Sequence, residues 1–388
     1  MTPVVVMIAR PDLFSNPGGD TTQVRETAAE LRRLNISVSI LLADEERRAR
    51  NVEMIRAADI VHCFNLLLAF QYEDLIDVAR AAGKPVYLSP VYWEMEGFER
   101  NPGTIKAWKK VLGHVASIMP LSTSGRDFFT RHLKSTTYNR HYRAYLSRVL
   151  EKADFLLPNS ESEYLMLRNR FQPSAPWSVV RNGCRVEDAD AEALMTSMED
   201  KRAVSVQSPY VLSVGRIERR KNQLALVRAM AGIPATLVLI GSINHAEATY
   251  WEACTREAAM LDVRLVHAGS FAWEELGAWY RGAAVHAQPS WFETPGLSSL
   301  EAAAVGCRIL CTNVGSAPEY FGSHAVYCSP RDVDSIRCGL EESLRAGPPD
   351  PATRQFVRQH FSWQHAALQT WSAYTHLFHL TNPLALPA

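Results

Sequence analysis

The stretch that decides the fold is Trp291-Phe292-Glu293-Thr294-Pro295-Gly296-Leu297-Ser298-Ser299-Leu300-Glu301-Ala302-Ala303-Ala304-Val305-Gly306. It follows an apolar run, residues 283–290, that is typical of a buried strand. Residues 297–305 then predict a helix, with Gly306 at its C-terminal cap. The sequence therefore predicts a strand, a loop and a helix in succession.

The start of that helix predicts an anion site. A helix that begins near Gly296 directs unpaired N–H groups and the positive end of its dipole at whatever lies over the loop. Glu293 stands in the loop before the helix, and Glu301 stands about a turn inside it. Because a carboxylate in contact with the anion would repel it, both acids are expected to accept hydrogen bonds from neutral hydroxyls. A sugar and a ribose on either side of a diphosphate meet that requirement.

The two glutamates resemble the Glu-x7-Glu element of the retaining GT-B glycosyltransferases, specifically of family 4 (glycosyl transferases group 1). The spacing alone fits equally well with solvated acids on a helix face. The resemblance implies that Glu293 contacts the hydroxyls of the donor sugar, with a catalytic role, and that Glu301 contacts the ribose. Further contacts to the donor are expected from the residues at the start of the helix, Thr294, Pro295, Gly296, Leu297 and Ser298.

A second pattern lies some 70 residues upstream. In Pro209–Gln223 an apolar strand ends at Gly215, Arg216 follows at once, and Lys221 is predicted to open the next helix. Both cations are thereby expected at one strand end, opposite the Gly296 helix if the two strands share a sheet. The stretch resembles the Gly-Arg-x4-Lys signature of the same family, in which the arginine and the lysine hold the donor diphosphate. Taken singly, each cation reads as ordinary surface charge.

Other donor contacts follow from the resemblance. Gly215 and Gly241 end strands, and the backbone near Phe271 is expected to meet the nucleotide base. Near the N-terminus, Gly18 and Gly19 are predicted to form a loop that lets a phosphate or an acceptor approach, or else an ordinary tight turn. The helix after this loop is predicted to be capped by Asp20, with Glu26 facing water.

The N-terminal half departs from the family pattern at one place. Many members carry a histidine just after the strand that corresponds to residues 85–88, whereas this chain continues Ser89-Pro90-Val91-Tyr92-Trp93-Glu94. Either a carbonyl, Tyr92 or Glu94 takes the part of the histidine, or the acceptor binds differently. Tyr92, Trp93 and Glu94 are therefore the candidate acceptor-side residues.

The alternation of short apolar runs with helical segments predicts an α/β fold of doubly wound parallel sheets, whose ligands bind beyond the carboxyl ends of the strands. The resemblance implies the GT-B arrangement of two Rossmann-like domains facing a central cleft. We predict an acceptor-side domain over 1–187, a linker over 188–207 and a nucleotide-sugar domain over 208–360. The helix in 361–388 either returns to pack on the N-terminal domain or forms a dimer contact.

Composition limits the function classes. The chain has 388 residues with 47% hydrophobic content, and its 41 Lys+Arg balance its 41 Asp+Glu, which argues against bulk nucleic-acid binding. Its seven cysteines show neither paired nor zinc-type spacing, so they predict buried reduced thiols. No run reaches the roughly 20 apolar residues that span a bilayer, and the first residues lack a secretion signal. These features predict a cytoplasmic protein. Peripheral binding to the inner face of the membrane is also possible, through residues 104–152.

Residues 104–152 are strongly basic and rich in aromatic side chains. Ten Lys or Arg face two acidic residues, with six Trp, Phe or Tyr between them. Three interpretations stay open: peripheral contact with anionic membrane, contact with a pyrophosphate-bearing acceptor, or a solvated pair of basic helices. Direct nucleic-acid binding is disfavoured, because no recognition motif accompanies the charge.

These observations predict a retaining glycosyltransferase that moves a sugar from a UDP- or GDP-sugar to a glycan, a lipid-linked acceptor or another glycoconjugate in bacterial surface polysaccharide synthesis. Arg216, Lys221 and the N–H groups near Gly296 would stabilise the departing diphosphate without an obligatory metal or other cofactor. The alternatives are a nucleotide-sugar epimerase of the same architecture and a non-catalytic sugar-nucleotide binder.

Overall fold

The computed structural model describes residues 3–101, 111, 133–185, 206–243, 247–346 and 351–378. The chain divides into two compact units. Unit 1 comprises Met1–Asn182 together with Trp363–Ala388, and unit 2 comprises Gly183–Ser362. The predicted linker, 188–207, lies almost entirely outside the described residues.

Unit 1 is built on a parallel five-stranded sheet with the order β2-β1-β3-β4-β5. The apolar residues of β1 and β3 are buried on both faces of the sheet, which explains why these strands are continuous apolar runs and do not alternate. The strands are β1 (Val4–Ala9), β2 (Ser37–Leu42), β3 (Ile60–Phe64), β4 (Val86–Ser89) and β5 (Phe155–Leu156). The helices of this unit are Gly19–Arg33, Arg48–Ala57, Glu73–Ala81, Glu96–Arg100, Arg140–Glu151, Glu161–Phe171 and Trp363–Phe378, with a 3-10 turn at Leu66–Gln71.

The first helix differs from the prediction in two ways. It begins at Gly19 with Gly18 as its N-cap, so Asp20 lies in the first turn and does not cap the helix. Asp20 instead pairs with Arg10, whose Nε lies 2.9 Å from Asp20 Oδ2. Glu26, predicted to face water, is only 8% exposed. The ion pair with Arg10 thus fixes the position of the Asp20 side chain. Helix-capping preferences alone could not predict this pair.

The C-terminal helix, Trp363–Phe378, packs within unit 1. The Tyr374 hydroxyl lies 2.7 Å from His62 Nδ1, and the Tyr87 hydroxyl donates to the Tyr374 carbonyl at 2.9 Å. His62 Nε2 lies 2.9 Å from the Ser89 hydroxyl, so both ring nitrogens have partners. Burial lowers the pKa of His62 to about 3, which keeps the imidazole neutral. The last helix therefore joins the sheet of the N-terminal unit through buried polar contacts.

Unit 2 is built on a parallel six-stranded sheet with the order β11-β10-β9-β6-β7-β8. Its strands are β6 (Tyr210–Val214), β7 (Thr236–Ile240), β8 (Leu265–His267), β9 (Val285–Gln288), β10 (Ile309–Thr312) and β11 (Val326–Cys328). The helices are Gln223–Ala229, Ala248–Met260, Trp273–Gly282, Leu297–Ala304, Ala317–Phe321, Val333–Arg345 and Pro351–His360, with 3-10 turns at Arg219–Lys221 and Gly322–His324. Because β6 and β9 are neighbours, the two predicted motifs follow adjacent strands of one sheet.

The basic segment 104–152 is described only at residue 111 and from residue 133 onward. In this part Tyr142 and Tyr145 face inward, since they are 1% and 4% exposed, and Tyr138 is half-buried. Lys152 Nζ lies 2.7 Å from both Glu73 Oε1 and Asp77 Oδ1. Residues 140–152 therefore contribute to the core of unit 1. Apart from the exposed Lys134, the remaining basic positions of the segment lie outside the described residues.

The structure also bears on two predictions from composition, one about the cysteines and one about membrane-spanning segments. Six of the seven cysteines are buried free thiols, as expected, whereas Cys338 is exposed. Among the described residues, no helix is both long enough and apolar enough to cross a bilayer.

Candidate functional site

The candidate site of unit 2 lies at the carboxyl edge of its sheet, where ligands of doubly wound folds bind. Gly215 and Arg216 directly follow β6, and residues 289–296 directly follow the neighbouring β9. Lys221 belongs to the 3-10 turn Arg219–Lys221, whereas the prediction placed it at the start of the next helix, which begins at Gln223. The sheet therefore brings the two sequence motifs together at one edge.

Glu293 is the centre of this arrangement. Its Oε1 lies 2.7 Å from Lys221 Nζ and accepts a second hydrogen bond from Gln288 Nε2 at 2.9 Å. Its Oε2 faces Arg220 Nη1 at 4.0 Å. The residue is 6% exposed, so the carboxylate is held between three donor groups in a largely desolvated position.

Five charged side chains alternate in sign across the two motifs, and we call them the five-charge chain. Arg216 lies 3.6 Å from Glu218, Glu218 lies 2.9 Å from Arg220, and the contacts of Glu293 with Arg220 and Lys221 complete the series. Three cations against two carboxylates leave a net charge of +1. Arg216 is also 37% exposed at one end, and Lys221 is 15% exposed at the other. The chain thus keeps positive charge within reach of an anion.

The electrostatics of this chain fix the ionisation of Glu293. Burial by itself would raise the pKa of the carboxyl, but the nearby Lys221 and Arg220 prevail and lower the pKa to about 2. Burial and Arg220 lower the pKa of Lys221, and Glu293 opposes them. Glu293 is consequently a carboxylate at neutral pH, able to accept hydrogen bonds and unsuited to act as a general acid.

Two glycines permit the close approach of backbones that shapes this edge. Gly241 has φ +143°, and a Cβ there would lie 2.1 Å from the Gly215 carbonyl oxygen. Gly315 has φ +109°, and a Cβ there would lie 2.0 Å from the Glu293 carbonyl oxygen. No other residue type fits either position without a shift of the backbone. Gly315 therefore lets the loop after β10 support the main chain of Glu293.

The helix Leu297–Ala304 begins as the sequence predicts. Gly296 is its N-cap in the left-handed region, with φ +73°, and its carbonyl accepts hydrogen bonds from the N–H groups of Ser299 and Leu300. The N–H groups of Leu297 and Ser298 belong to the first turn, where the helix itself supplies no acceptor. No side chain caps this end. Thr294 and Pro295 form the short loop between Glu293 and this helix start.

Glu301 lies in the second turn of the same helix. Its Oε2 accepts a hydrogen bond from the Tyr280 hydroxyl at 3.1 Å. Burial, with Glu301 nearby, raises the pKa of Tyr280 well above its ordinary value, so the tyrosine remains a donor at neutral pH. Phe271 lies in the loop after β8, where its ring centroid is 5.4 Å from that of Trp279. Tyr280 and Trp279 are adjacent in the helix Trp273–Gly282. This one helix therefore contacts both Glu301, the predicted ribose ligand, and Phe271, the predicted neighbour of the base.

Unit 1 places its predicted residues differently. Gly18 and Gly19 lie at the start of the first helix, beside the pair of Arg10 and Asp20, and a Cβ at Gly18 would lie 3.1 Å from Asp20 Oδ1. The presence of a carboxylate at this helix start weakens the prediction that the two glycines admit a phosphate.

The three acceptor-side candidates are mostly enclosed. Tyr92 is 0% exposed and packs in the core of unit 1, and Trp93 is 8% exposed. Glu94 Oε1 lies 3.1 Å from Arg170 Nη2. The Tyr92 side chain is therefore not available to replace the missing histidine by direct contact with a substrate in this conformation.

Sequence reasoning missed Arg220, Glu218 and Gln288. Arg220 lies 5.3 Å over the Phe292 ring and bonds the Phe292 carbonyl at 3.4 Å, so it joins the two motifs. Arg220 lies inside the Gly-Arg-x4-Lys motif, which could have marked it as a site residue, but Arg219 lies inside the motif too. Gln288 could have been found as the one amide side chain in an apolar strand that ends at the site. Within the described ranges, no group of three His, Cys, Asp or Glu side chains is placed to hold a metal ion.

Comparison with solved structures identifies the class of fold. The chain matches sucrose-phosphate synthase from Thermosynechococcus elongatus with a TM-score of 0.72 and 20% identity, over 98% of this chain and all of the other. It also matches HepE from Anabaena, solved with UDP, with a TM-score of 0.66 and 14% identity, over 97% and 100% of the two chains. The protein has the GT-B fold of two Rossmann-like domains, as the sequence predicted.

Comparison of sequences then gives a family match for part of the chain. Residues 196–358 match the family described as Glycosyl transferases group 1, which confirms the predicted resemblance, and the match covers both motifs. A curated relative, the O-antigen chain mannosyltransferase B of Escherichia coli, is 31% identical over 174 residues. That alignment covers 42% of this chain and 45% of the relative, which is less than half of either protein.

Proposed function

We propose that this protein is a retaining glycosyltransferase that transfers a sugar from a nucleoside diphosphate sugar to a hydroxyl-bearing glycan or lipid-linked acceptor. The observation that carries the proposal is the five-charge chain, which has a net charge of +1 and runs to the start of the helix Leu297–Ala304. A diphosphate is the ligand whose charge and size match fixed cations beside a helix N-terminus.

In this reaction the bond between C1 of the sugar and the diphosphate oxygen breaks, and negative charge develops on the leaving group. Arg216, Lys221 and the N–H groups of Leu297 and Ser298 would stabilise that charge without rearranging during the step. For a retaining transfer the acceptor hydroxyl attacks C1 on the face from which the diphosphate departs. Its proton passes to the departing phosphate oxygen, so no separate protein base is required.

The glutamates receive distinct roles in this scheme. Oε1 of Glu293 already accepts from Lys221 and Gln288, whereas Oε2 lies beyond hydrogen-bonding distance of Arg220. We therefore assign Oε2 to a hydroxyl of the donor sugar. Glu301, oriented by the hydrogen bond from Tyr280, would accept from the ribose. Phe271 and the backbone around Gly241 would border the base.

The relatives suggest the substrate class. One is named for mannosyl transfer to an O-antigen chain, so a hexose such as mannose, linked to GDP or UDP, is the donor to test first. The acceptor would bind unit 1 near Gly18 and Gly19, where Asp20 favours a neutral hydroxyl over a phosphate. A growing surface polysaccharide supplies such hydroxyls.

A turnover assay with a panel of GDP- and UDP-hexoses, with and without oligosaccharide acceptors, tests the proposal. We expect release of one nucleoside diphosphate that accelerates when acceptor is added, and linkage analysis should show retained anomeric configuration. Diphosphate release that depends on no acceptor, together with an epimerised sugar, would favour the epimerase. Binding of nucleotide sugar without any turnover would favour a binding protein, and the proposal would then be wrong.

A further inference from the structure

Gln288, the last residue of β9, is the feature of the site that the proposed scheme leaves without a role. Its side chain is buried, with 2% exposure, at the carboxyl edge of the sheet. Its Nε2 donates to Glu293 Oε1 at 2.9 Å, and its Oε1 accepts a hydrogen bond from the Ser298 hydroxyl. One amide thus contacts both the loop carboxylate and the start of the helix Leu297–Ala304.

The chemistry of its neighbours fixes the orientation of this amide. The Glu293 carboxylate is ionised and can only accept, so the NH₂ group must point toward it. The hydroxyls of Ser298 and Ser299 can both donate, and they lie on the carbonyl side, Ser299 at 3.5 Å. Reversing the amide would place two acceptors together at Glu293. The bond from Gln288 to Glu293 is therefore specified by the surrounding groups.

Gln288 also differs from Lys221, the other donor to Glu293 Oε1. Lys221 has a long flexible stem and is 15% exposed, and in the proposed reaction its ammonium serves the diphosphate as well as Glu293. Gln288 has its backbone in the middle of a six-stranded sheet, between β10 and β6, and the sheet anchors it there. A hydrogen bond to a charged group from such a fixed donor would keep the carboxylate oriented throughout.

We propose that Gln288 is the positioning residue of the site: it holds the Glu293 carboxylate with Oε2 directed at the donor sugar and ties that carboxylate to the helix start that receives the diphosphate. This inference rests on the proposed function. It adds a residue outside both sequence motifs and assigns it to sugar recognition, not to recognition of the nucleotide.

The test compares Gln288→Met, which keeps the side-chain length and removes both hydrogen bonds, with Gln369→Met in unit 1 as the matched control. Gln369 accepts one hydrogen bond, from the Arg181 N–H at 2.9 Å. The measurements are the Kd of the nucleoside diphosphate, the Kd of the nucleoside diphosphate sugar, kcat for transfer, and Tm. The donor is the one that the turnover panel identifies.

We expect Gln288→Met to lower kcat and to weaken binding of the nucleotide sugar by roughly 10- to 100-fold, the range for a lost hydrogen bond to a charged group. The Kd of the nucleoside diphosphate alone should stay within about twofold of wild type, since Lys221 and Arg216 remain. Gln288→Glu should lose at least as much activity, because it places a second carboxylate against Glu293. Gln369→Met should leave both Kd values and kcat unchanged.

Three results would overturn the assignment and leave the proposed function standing. An unchanged kcat in Gln288→Met with an active wild type would overturn it alone, and so would full activity in Gln288→Glu. A parallel loss of Tm and of both binding constants in Gln288→Met would show a purely structural role. A wild-type protein that binds no nucleoside diphosphate would instead overturn the proposed function, and the assignment with it.

Discussion

The two units place arginine at the same kind of sheet edge and use it differently. In unit 1, Arg10 follows β1, is 8% exposed in its side chain, and pairs with Asp12 at 2.8 Å and Asp20 at 2.9 Å. One cation against two carboxylates leaves this cluster at −1. In unit 2 the five-charge chain carries +1, and its terminal cation Arg216 is 37% exposed. The same residue type thus stabilises a loop in one unit and stays available to a ligand in the other.

The difference shows that an arginine at a sheet edge can be assigned to ligand binding or to structure from the charges of its neighbours. Arg10 also bonds the carbonyls of Asp12 and Asn16, so its guanidinium is saturated by the loop that it closes. Arg216 has one acidic neighbour, Glu218, at 3.6 Å, and Arg220 draws that acid away at 2.9 Å. We expect mutations in the two clusters to separate folding from nucleotide binding.

The largest effect is expected from Lys221→Ala. Removing a fixed cation from a developing negative charge should lower kcat/KM for the nucleotide sugar about 10³-fold, the upper range for loss of one transition-state donor. Steady-state kinetics measures this, with circular dichroism to verify folding. Arg228→Ala is the matched control, since it removes an exposed cation of unit 2 that pairs with Glu257, and its kcat/KM should match wild type. A loss of kcat/KM of less than tenfold in Lys221→Ala would contradict the assignment of the unit 2 cations to the ligand.

The counterpart in unit 1 is Arg10→Met. It leaves Asp20, with 13% side-chain exposure, without its cation, so the free energy of unfolding should fall by about 3 kcal/mol. Urea unfolding measures this loss, and Arg33→Met, an exposed helix cation, should cost less than about 0.5 kcal/mol. The Kd for nucleoside diphosphate should be unchanged in both. Loss of nucleotide binding with intact stability in Arg10→Met would contradict the assignment of this arginine to the loop.

A smaller effect is expected from Arg216→Ala. This arginine stands at the exposed end of the five-charge chain, so the Kd of the nucleoside diphosphate should rise about 30-fold, corresponding to one charged hydrogen bond. Stability should change little, because the side chain makes few buried contacts. Calorimetric titration gives the Kd, and increasing salt should weaken binding more in wild type than in the variant. Equal salt dependence in the two proteins would place the diphosphate elsewhere.

The smallest of the four effects is expected in the pH dependence of the free energy of unfolding, which tests how Glu293 is held. Because its folded pKa of about 2 lies below its ordinary value of 4.5, the group contributes stability that is fully present above pH 4.5 and is lost as the pH falls toward 2. Glu293→Gln should therefore show a shallower decline of unfolding free energy below pH 4.5. Urea titrations between pH 7 and pH 3 test this. Identical slopes for both proteins would mean that the carboxylate is not held by Lys221 and Arg220.

Sequence patterns predicted the fold well because its strands are buried on both faces, and a continuous apolar run such as Val4–Ala9 has few other interpretations. They also placed Lys221 and Glu293 at one sheet edge, since parallel neighbours share their carboxyl ends. The ion pair between these two residues was beyond such reasoning. It depends on the 3-10 turn Arg219–Lys221, which bends the chain back toward the loop after β9.

The errors share one physical cause, which is that side-chain partners lie far apart in sequence. Asp20 pairs with Arg10 and leaves the helix cap to Gly18. Tyr92 was proposed for the acceptor side from its place after β4, but its ring packs against Phe171, 5.4 Å away, in the core. The helix Arg48–Ala57 is an omission with a different cause: it was not predicted, because four of its ten residues are charged and its apolar face is short.

A crystal structure of the protein with the nucleoside diphosphate that it binds tests the central claim most directly. The account predicts the diphosphate within hydrogen-bonding distance of Arg216, Lys221 and the N–H groups of Leu297 and Ser298, with Gln288 still bonded to Glu293. A diphosphate bound at Arg10 and Gly18, or one that touches neither Arg216 nor Lys221, would contradict it.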